Sequence, residues 1–121
     1  MPPGNRYVAA MTIREFQKRI EGQYLERDVA RGVQGTFVWF VEEVGELARA
    51  IQRKTGKKNL REEFADVLAW LSTLASLTGV DLEAAAAAKY GKGCPACRKS
   101  PCRCAPKGRR SAWGKRLTSK V

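Results

Sequence analysis

Two amphipathic stretches on either side of Gly56 constrain this chain more than any other feature. In the first, Phe37, Phe40, Val41, Val44, Leu47, Ala48 and Ile51 recur on one helical face. In the second, Leu60, Phe64, Val67, Leu68, Leu71, Leu74 and Ala75 do the same. The spacing predicts one helix from about Phe37 to Lys54 and another opening at Asn59, where Asn59-x-x-Glu62 has capping-box form. A turn as short as Gly56-Lys57-Lys58 makes the two an antiparallel hairpin. Upstream, Thr12-x-x-Glu15 is a first capping box, with Met11 placed to staple onto Phe16, and Ile13, Phe16, Ile20 and Tyr24 continue at helical spacing. That pattern weakens near Arg31-Gly32 and restarts at Gly35-Thr36. Downstream, Gly79 closes the hairpin's second helix, Asp81 caps a short last one, and the Ala84–Ala88 run carries it to Gly91. No segment alternates with period two, so the fold class is all-α: a helical hairpin with flanking helices and a small Cys-rich appendage.

The two hairpin helices superpose with an offset of twenty. Glu43 then matches Glu63, Glu46 matches Asp66, and Glu42 matches Glu62. Each pair, Glu43/Glu46 and Glu63/Asp66, is spaced i, i+3 and projects from one face at the edge of an apolar stripe. Packed stripe to stripe, the helices would bring both pairs to one side of their seam. Two carboxylates about 4 Å apart repel by roughly 4 kcal/mol at an effective dielectric near 20. Four together therefore call for protons or a hard divalent cation such as Mg2+. The competing reading is a solvated acidic face paired with Arg49, Arg53 or Lys57, with Glu62 serving only as a cap.

Charge divides the chain. All twelve acidic residues lie between Glu15 and Glu83, and residues 1–88 carry twelve Lys and Arg, so that part is neutral. From Lys89 onward there are eleven Lys and Arg and no acid, which accounts for the whole +11. The expected organisation is a helical domain over 1–91, a cysteine knuckle over 92–104 and a basic, disordered tail over 105–121. The sequence has no apolar run long enough to span a membrane and no signal-peptide core, so a cytoplasmic location is expected. It contains no histidine, which removes His-based catalysis, and no Walker-type phosphate loop.

Glu42-Glu43-Val44-Gly45-Glu46-Leu47-Ala48, followed by Glu63-Phe64-Ala65-Asp66-Val67-Leu68, resembles the E-E-x-x-E … E-x-x-D signature of MazG-type nucleotide pyrophosphohydrolases. The similarity runs from about Thr12 to Tyr90 and includes the Gly79-to-Glu83 entry to the last helix. It implies an all-α fold, usually dimeric or tetrameric, that converts a nucleoside triphosphate and water to NMP and pyrophosphate with Mg2+. By the same resemblance Glu43, Glu46, Glu63 and Asp66 are metal ligands. Glu42 is an auxiliary ligand or water-orienting base, so Glu42 and Glu43 are the candidate catalytic carboxylates. Trp39 and Trp70 fall one turn from the acidic pairs, placed to stack on a nucleobase or simply to pack. Lys54, Lys57, Lys58 and Lys89 are candidate phosphate contacts. An oligomer is also expected on physical grounds. A lone hairpin encloses little core, and Leu25, Val29, Val33 and Val38 lie outside the stripes; two hairpins paired as a four-helix bundle would cover both faces.

Beyond the helices, Cys94-Pro-Ala-Cys97 and Cys102-Arg-Cys104 place four thiols within eleven residues, a set suited to tetrahedral Zn2+. Redox-active or free thiols, an iron–sulfur cluster and disulfides are the alternatives. Four cysteines leave no open coordination position, which favours a structural metal. Further on, Trp113 among Arg109, Arg110, Lys115 and Arg116 is a basic-aromatic mix able to hold a nucleic-acid strand. This supports a rival reading of the chain as a non-catalytic nucleic-acid-binding helical dimer.

Overall fold

The computed structural model describes residues 10–105, and the basic-aromatic segment around Trp113 lies outside them. Three helices follow in order: α1 (Ile13–Arg53), α2 (Lys57–Leu77) and α3 (Leu82–Tyr90). Among the described residues there is no strand, and no helix is long and apolar enough to cross a membrane. Residue contacts divide the chain into two compact units at Ala85/Ala86.

Local signals act largely where the sequence puts them. Thr12 begins α1 with the expected reciprocal box: Glu15 N–H donates to Thr12 Oγ1 at 3.0 Å and Thr12 N–H to Glu15 Oε1 at 3.2 Å. The expected break is at Gly32, with φ 81° and ψ 174°, a region open essentially to glycine alone. The helix resumes directly after it, not at Thr36. Thr36 is fully buried one turn past the break, where its hydroxyl accepts from Arg31 Nη1 at 3.2 Å. α1 is therefore two limbs, 13–31 and 33–53.

The start of α2 differs from expectation. The helix begins at Lys57 behind Gly56, φ 99°, with no side-chain cap. The first backbone bond, Leu60 N–H to Gly56 O, has closed before Asn59 could act as a cap. Asn59 instead donates to Thr55 Oγ1 at 2.8 Å, and no Asn59–Glu62 box forms. At the far end, Gly79 N–H returns to Ser76 O and Val80 N–H to Ala75 O, a Schellman closure that needs the positive φ (75°) of Gly79. Asp81 caps α3 as expected, accepting from Ala84 N–H at 3.0 Å.

The packing departs more deeply from the expectation. The stripes meet along only part of their width. On the second limb of α1 the less exposed positions include Thr36, Phe40, Glu43, Leu47 and Ala50; on α2, apart from the more deeply buried Ser72, Thr73 and Ala75, they include Leu60, Glu63, Val67, Trp70 and Leu74. Both sets repeat at intervals of three and four residues, the spacing of a helix–helix seam. The seam thus joins one side of each stripe, through Phe40, Leu47, Leu60, Val67 and Leu74, with the acids at its edge. Most of the expected stripe lies open: Phe37 is 53% exposed, Phe64 54%, Ile51 54%, and Val41, Val44, Leu68 and Leu71 are exposed as well. The only apolar side chains buried among the described residues are Ile20, Ala50 and Ala75.

Polar contacts fasten the first limb of α1. Gln17 donates to Ser76 Oγ at 3.1 Å and Val80 O at 2.8 Å, and accepts from Leu82 N–H at 2.9 Å. Ser76 donates to Glu21 at 2.7 Å. Arg14 pairs with Asp81 at 2.7 Å and Glu83 at 2.9 Å. Bonds of this kind contribute about 0.5–1.5 kcal/mol each, more where charge is involved.

Gly32 should be intolerant of a side chain for backbone reasons alone. Gly32→Ala is expected to lower unfolding stability by about 1–3 kcal/mol, although nothing lies within 4 Å of the added Cβ. Gly22→Ala, inside the first limb with equal space, should instead raise stability by about 0.5–1 kcal/mol. Urea unfolding of the two variants measures this contrast.

Candidate active site

The inward 3–4 spacing that builds the seam also turns Glu43 toward α2 and Glu63 toward α1, with Asp66 one turn further along α2. One carboxylate oxygen from each of Glu43, Glu63 and Asp66 lies within 4.8 Å of the other two. Glu43 Oε2 and Glu63 Oε2 are buried and have no hydrogen-bond partner. Among the described residues, none of Glu42, Glu43, Glu46, Glu63 and Asp66 has a Lys or Arg nitrogen within 4.0 Å. A face of acids neutralised by neighbouring arginines is therefore not what the seam contains.

Burial and mutual repulsion perturb these groups. Desolvation in the seam, then the charge of Glu46, a hydrogen bond with Glu46 and the charges of Asp66 and Glu63 push Glu43 from 4.5 up to about 7. Glu63 is raised for the same reasons, burial first and then Glu46, Asp66 and Glu62, with Arg49 acting the other way. Glu46 thus stands beside the trio, outside the three carboxylates whose oxygens converge. It lines a neighbouring hollow of about 170 Å3 with Glu63, Arg49, Arg53 and Asn59. Glu42 is exposed.

A larger cavity, about 310 Å3, opens next to the carboxylates. Asp66 and Trp70 form part of its α2 wall, and Tyr24, Arg27, Asp28 and Arg31 line it from the first limb of α1. None of these four is a candidate site residue from sequence, where Tyr24 counts only as part of an apolar stripe and Arg31 only as the end of a helical pattern. Their signal was weak, because an Asp and an Arg three apart near a helix break look like an ordinary solvated pair. Here Asp28 is only 5% exposed, accepting from Arg31 Nη1 at 3.1 Å and from Thr73 Oγ1 at 3.3 Å. The Arg31 guanidinium also lies 4.8 Å from the Trp70 ring centroid. Asp28, Arg31, Thr36 and Thr73 together clamp the Gly32 break against α2, and that holds the cavity's first-limb wall in place.

The tryptophans singled out from sequence stack on each other, with centroids 5.9 Å apart and planes at 12°. Lys54 occupies the left-handed residue that ends α1, φ 53°, and is exposed, as are Lys57 and Lys58. Lys89 belongs to the second unit, with Nζ 5.7 Å from the Tyr90 ring centroid. The four cysteines also belong to that unit and are gathered, with Sγ atoms all within 4.8 Å of one another. Amide hydrogen bonds from Cys97 and Ala96 bring the Cys94 thiol down to about 6, whereas bonding with Cys102 and the other sulfurs pushes Cys104 up to about 12.

Residues 31–98 match the family model of the MazG nucleotide pyrophosphohydrolase domain. The chain belongs to the MazG family. The match takes in both acidic motifs and begins at Arg31, so the first limb of α1 lies ahead of it. No curated protein sequence matches the chain significantly. MazG-type hydrolases generally use divalent metals, and the donor set fits one. All its donors are carboxylate oxygens, the ligands of hard cations, and two of them are buried oxygens otherwise without a partner.

The raised carboxylates give this MazG protein a specific pH response. A group raised in the folded state contributes stability that is present below its unfolded value, 4.5 for Glu43, and lost as pH rises through about 7. Without divalent cation, the thermal midpoint should therefore fall across that window. Mg2+ should recover it most at the alkaline end, and Glu43→Gln should flatten the dependence. Thermal unfolding over a pH series, with and without Mg2+, tests all three.

Proposed function

We propose that this MazG protein is a Mg2+-dependent nucleoside triphosphate pyrophosphohydrolase, cleaving NTP or dNTP between the α and β phosphates to give NMP and pyrophosphate. The observation that carries the reading is the pair of buried, partnerless oxygens of Glu43 and Glu63 facing one another beside Asp66.

Glu43, Glu63 and Asp66, with Glu46 closing in from the same side, would hold the cation. When bound there, Mg2+ neutralises phosphate charge and lowers the pKa of an attacking water. The protein's own groups do the rest. Glu43, raised by burial and by the neighbouring carboxylates, is the group able to hold a proton near neutrality when no cation is bound. Exposed Glu42, next to it in sequence, serves as the water-orienting base. Arg27 and Arg31 line the adjoining cavity and supply positive charge toward a triphosphate, with exposed Lys54 as a further candidate contact. Trp70 and Tyr24 offer that cavity aromatic surface for a base, and Trp39, stacked behind Trp70, fixes the ring. The reaction needs only water as co-substrate, and the cytoplasm is the compartment this reading assumes.

The same reading includes a homo-oligomer. The open face formed by Phe37, Val41, Val44 and Ile51 with Phe64, Leu68 and Leu71 is too apolar to be left to water. At about 25 cal/mol per Å2, its burial against a second hairpin would stabilise the assembly substantially. A four-helix bundle of two hairpins, dimeric at least, accommodates it.

Two measurements test these statements. Across an NTP and dNTP panel, purified protein should release pyrophosphate with Mg2+ and not with excess EDTA. Glu63→Gln should lower kcat by at least about 100-fold, because even outer-shell partners of a metal typically cost 10–100-fold. Absence of release from every nucleotide would end the enzymatic reading. Separately, light scattering should give a multiple of the 13.4 kDa chain mass. The double variant Val44→Glu/Leu68→Glu should shift it toward monomer.

A further inference from the structure

The proposed hydrolysis leaves the second unit unexplained. Residues 92–104 contain, besides cysteine, only Pro95, Ala96 and Pro101 as apolar side chains, so no hydrophobic core can order them. Yet the segment has a defined fold. Cys94 N–H donates to Lys99 O at 3.0 Å and Arg98 N–H to Cys94 O at 2.7 Å, closing a tight knuckle around Cys94-Pro-Ala-Cys97. Arg98 takes the left-handed conformation, φ 62°. At Gly93, φ 99°, a Cβ would lie 2.9 Å from Lys99 O, so the backbones cross too closely for any side chain.

The sulfur geometry says what the knuckle is built around. Cys94 and Cys104 Sγ are 3.7 Å apart, and Cys97 and Cys102 Sγ are 3.9 Å apart. A disulfide requires about 2.05 Å. A tetrahedron with Zn–S bonds of about 2.3 Å has S···S edges of about 3.8 Å. All four sulfurs lie within 4.8 Å of one another, room for one ion and not for a multi-iron cluster. Two sulfurs also accept backbone amides: Arg103 N–H reaches Cys97 Sγ and Cys104 N–H reaches Cys102 Sγ, each at 3.3 Å. Such bonds suit anionic thiolates. Four thiolates on one Zn2+ carry a net charge of −2, and Lys92, Arg98, Lys99 and Arg103 surround them in sequence with no acid between.

We propose that Cys94, Cys97, Cys102 and Cys104 bind one structural Zn2+ ion that dictates the fold of residues 92–104. With every corner of the tetrahedron a thiolate, the ion has no position open to water or substrate. It is independent of the carboxylate site and organises the chain without taking part in hydrolysis.

The test uses the full chain, purified without chelator under reducing conditions. Elemental analysis should find about one zinc per chain, and all four thiols should resist alkylation until the zinc is removed. Replacing zinc by Co2+ should produce thiolate-to-metal charge-transfer bands and the visible bands of a tetrahedral centre. Cys97→Ser and, separately, Cys104→Ser should each weaken metal retention at least about 10-fold while far-ultraviolet circular dichroism stays helical. Glu63→Gln should leave the zinc content unchanged, which separates this site from the carboxylates whether or not hydrolysis is observed. Bound iron in place of zinc, two disulfides by mass spectrometry, or four reactive thiols after incubation with Zn2+ would each overturn the proposal.

Discussion

Mutual repulsion between Glu43 on α1 and Glu63 with Asp66 on α2 is the constraint to which the rest of the first unit answers. An antiparallel hairpin normally closes on apolar side chains, and this chain has enough of them. Its seam nevertheless runs through positions that place carboxylates opposite one another, with Phe40, Leu47 and Val67 near them. The protein accepts an unfavourable local arrangement there. Burial and like charge raise Glu43 and Glu63 in response. A site that is costly when empty of cations is one that a cation can stabilise strongly.

That choice explains why the remaining contacts are so polar. Apolar burial does little to hold the first limb of α1, where Ile20 is the one buried apolar side chain among the described residues. Hydrogen bonds do so instead: Gln17 bridges Ser76, Val80 and Leu82, Arg14 grips Asp81 and Glu83, Asp28 joins Arg31 to Thr73, and Arg31 reaches Thr36 across the Gly32 break. These bonds are directional, so they fix the first limb at a defined distance from α2. The cavity beside Asp66 exists because of that spacing. An apolar interface of the same size would tend to close it.

Local features were legible in the sequence because they depend on a few adjacent residues. The Thr12–Glu15 box, the Gly32 break, the Gly79 closure and the Asp81 cap each work through hydrogen bonds or backbone angles within one or two turns. The Asn59 cap failed for a reason of the same scale, since Gly56 had already started the helix. The buried clamp of Asp28, Arg31, Thr36 and Thr73 was not legible. Its members lie up to 45 residues apart, and each is unremarkable until the helices bring them together. The acidic motif was readable as chemistry, but its angular position was not. Periodicity shows which residues share a face and not which face turns inward.

The sequence alone determined the helical class, the breaks between elements, the pairing of carboxylates at i, i+3 and the clustering of four thiols, because all of these follow from spacing along one chain. Tertiary structure decided which stripe of each helix faces its neighbour. It thereby buried two carboxylate oxygens, stacked Trp39 on Trp70 and left a wide apolar face open. Those outcomes depend on distances between segments far apart in sequence, which no local pattern encodes.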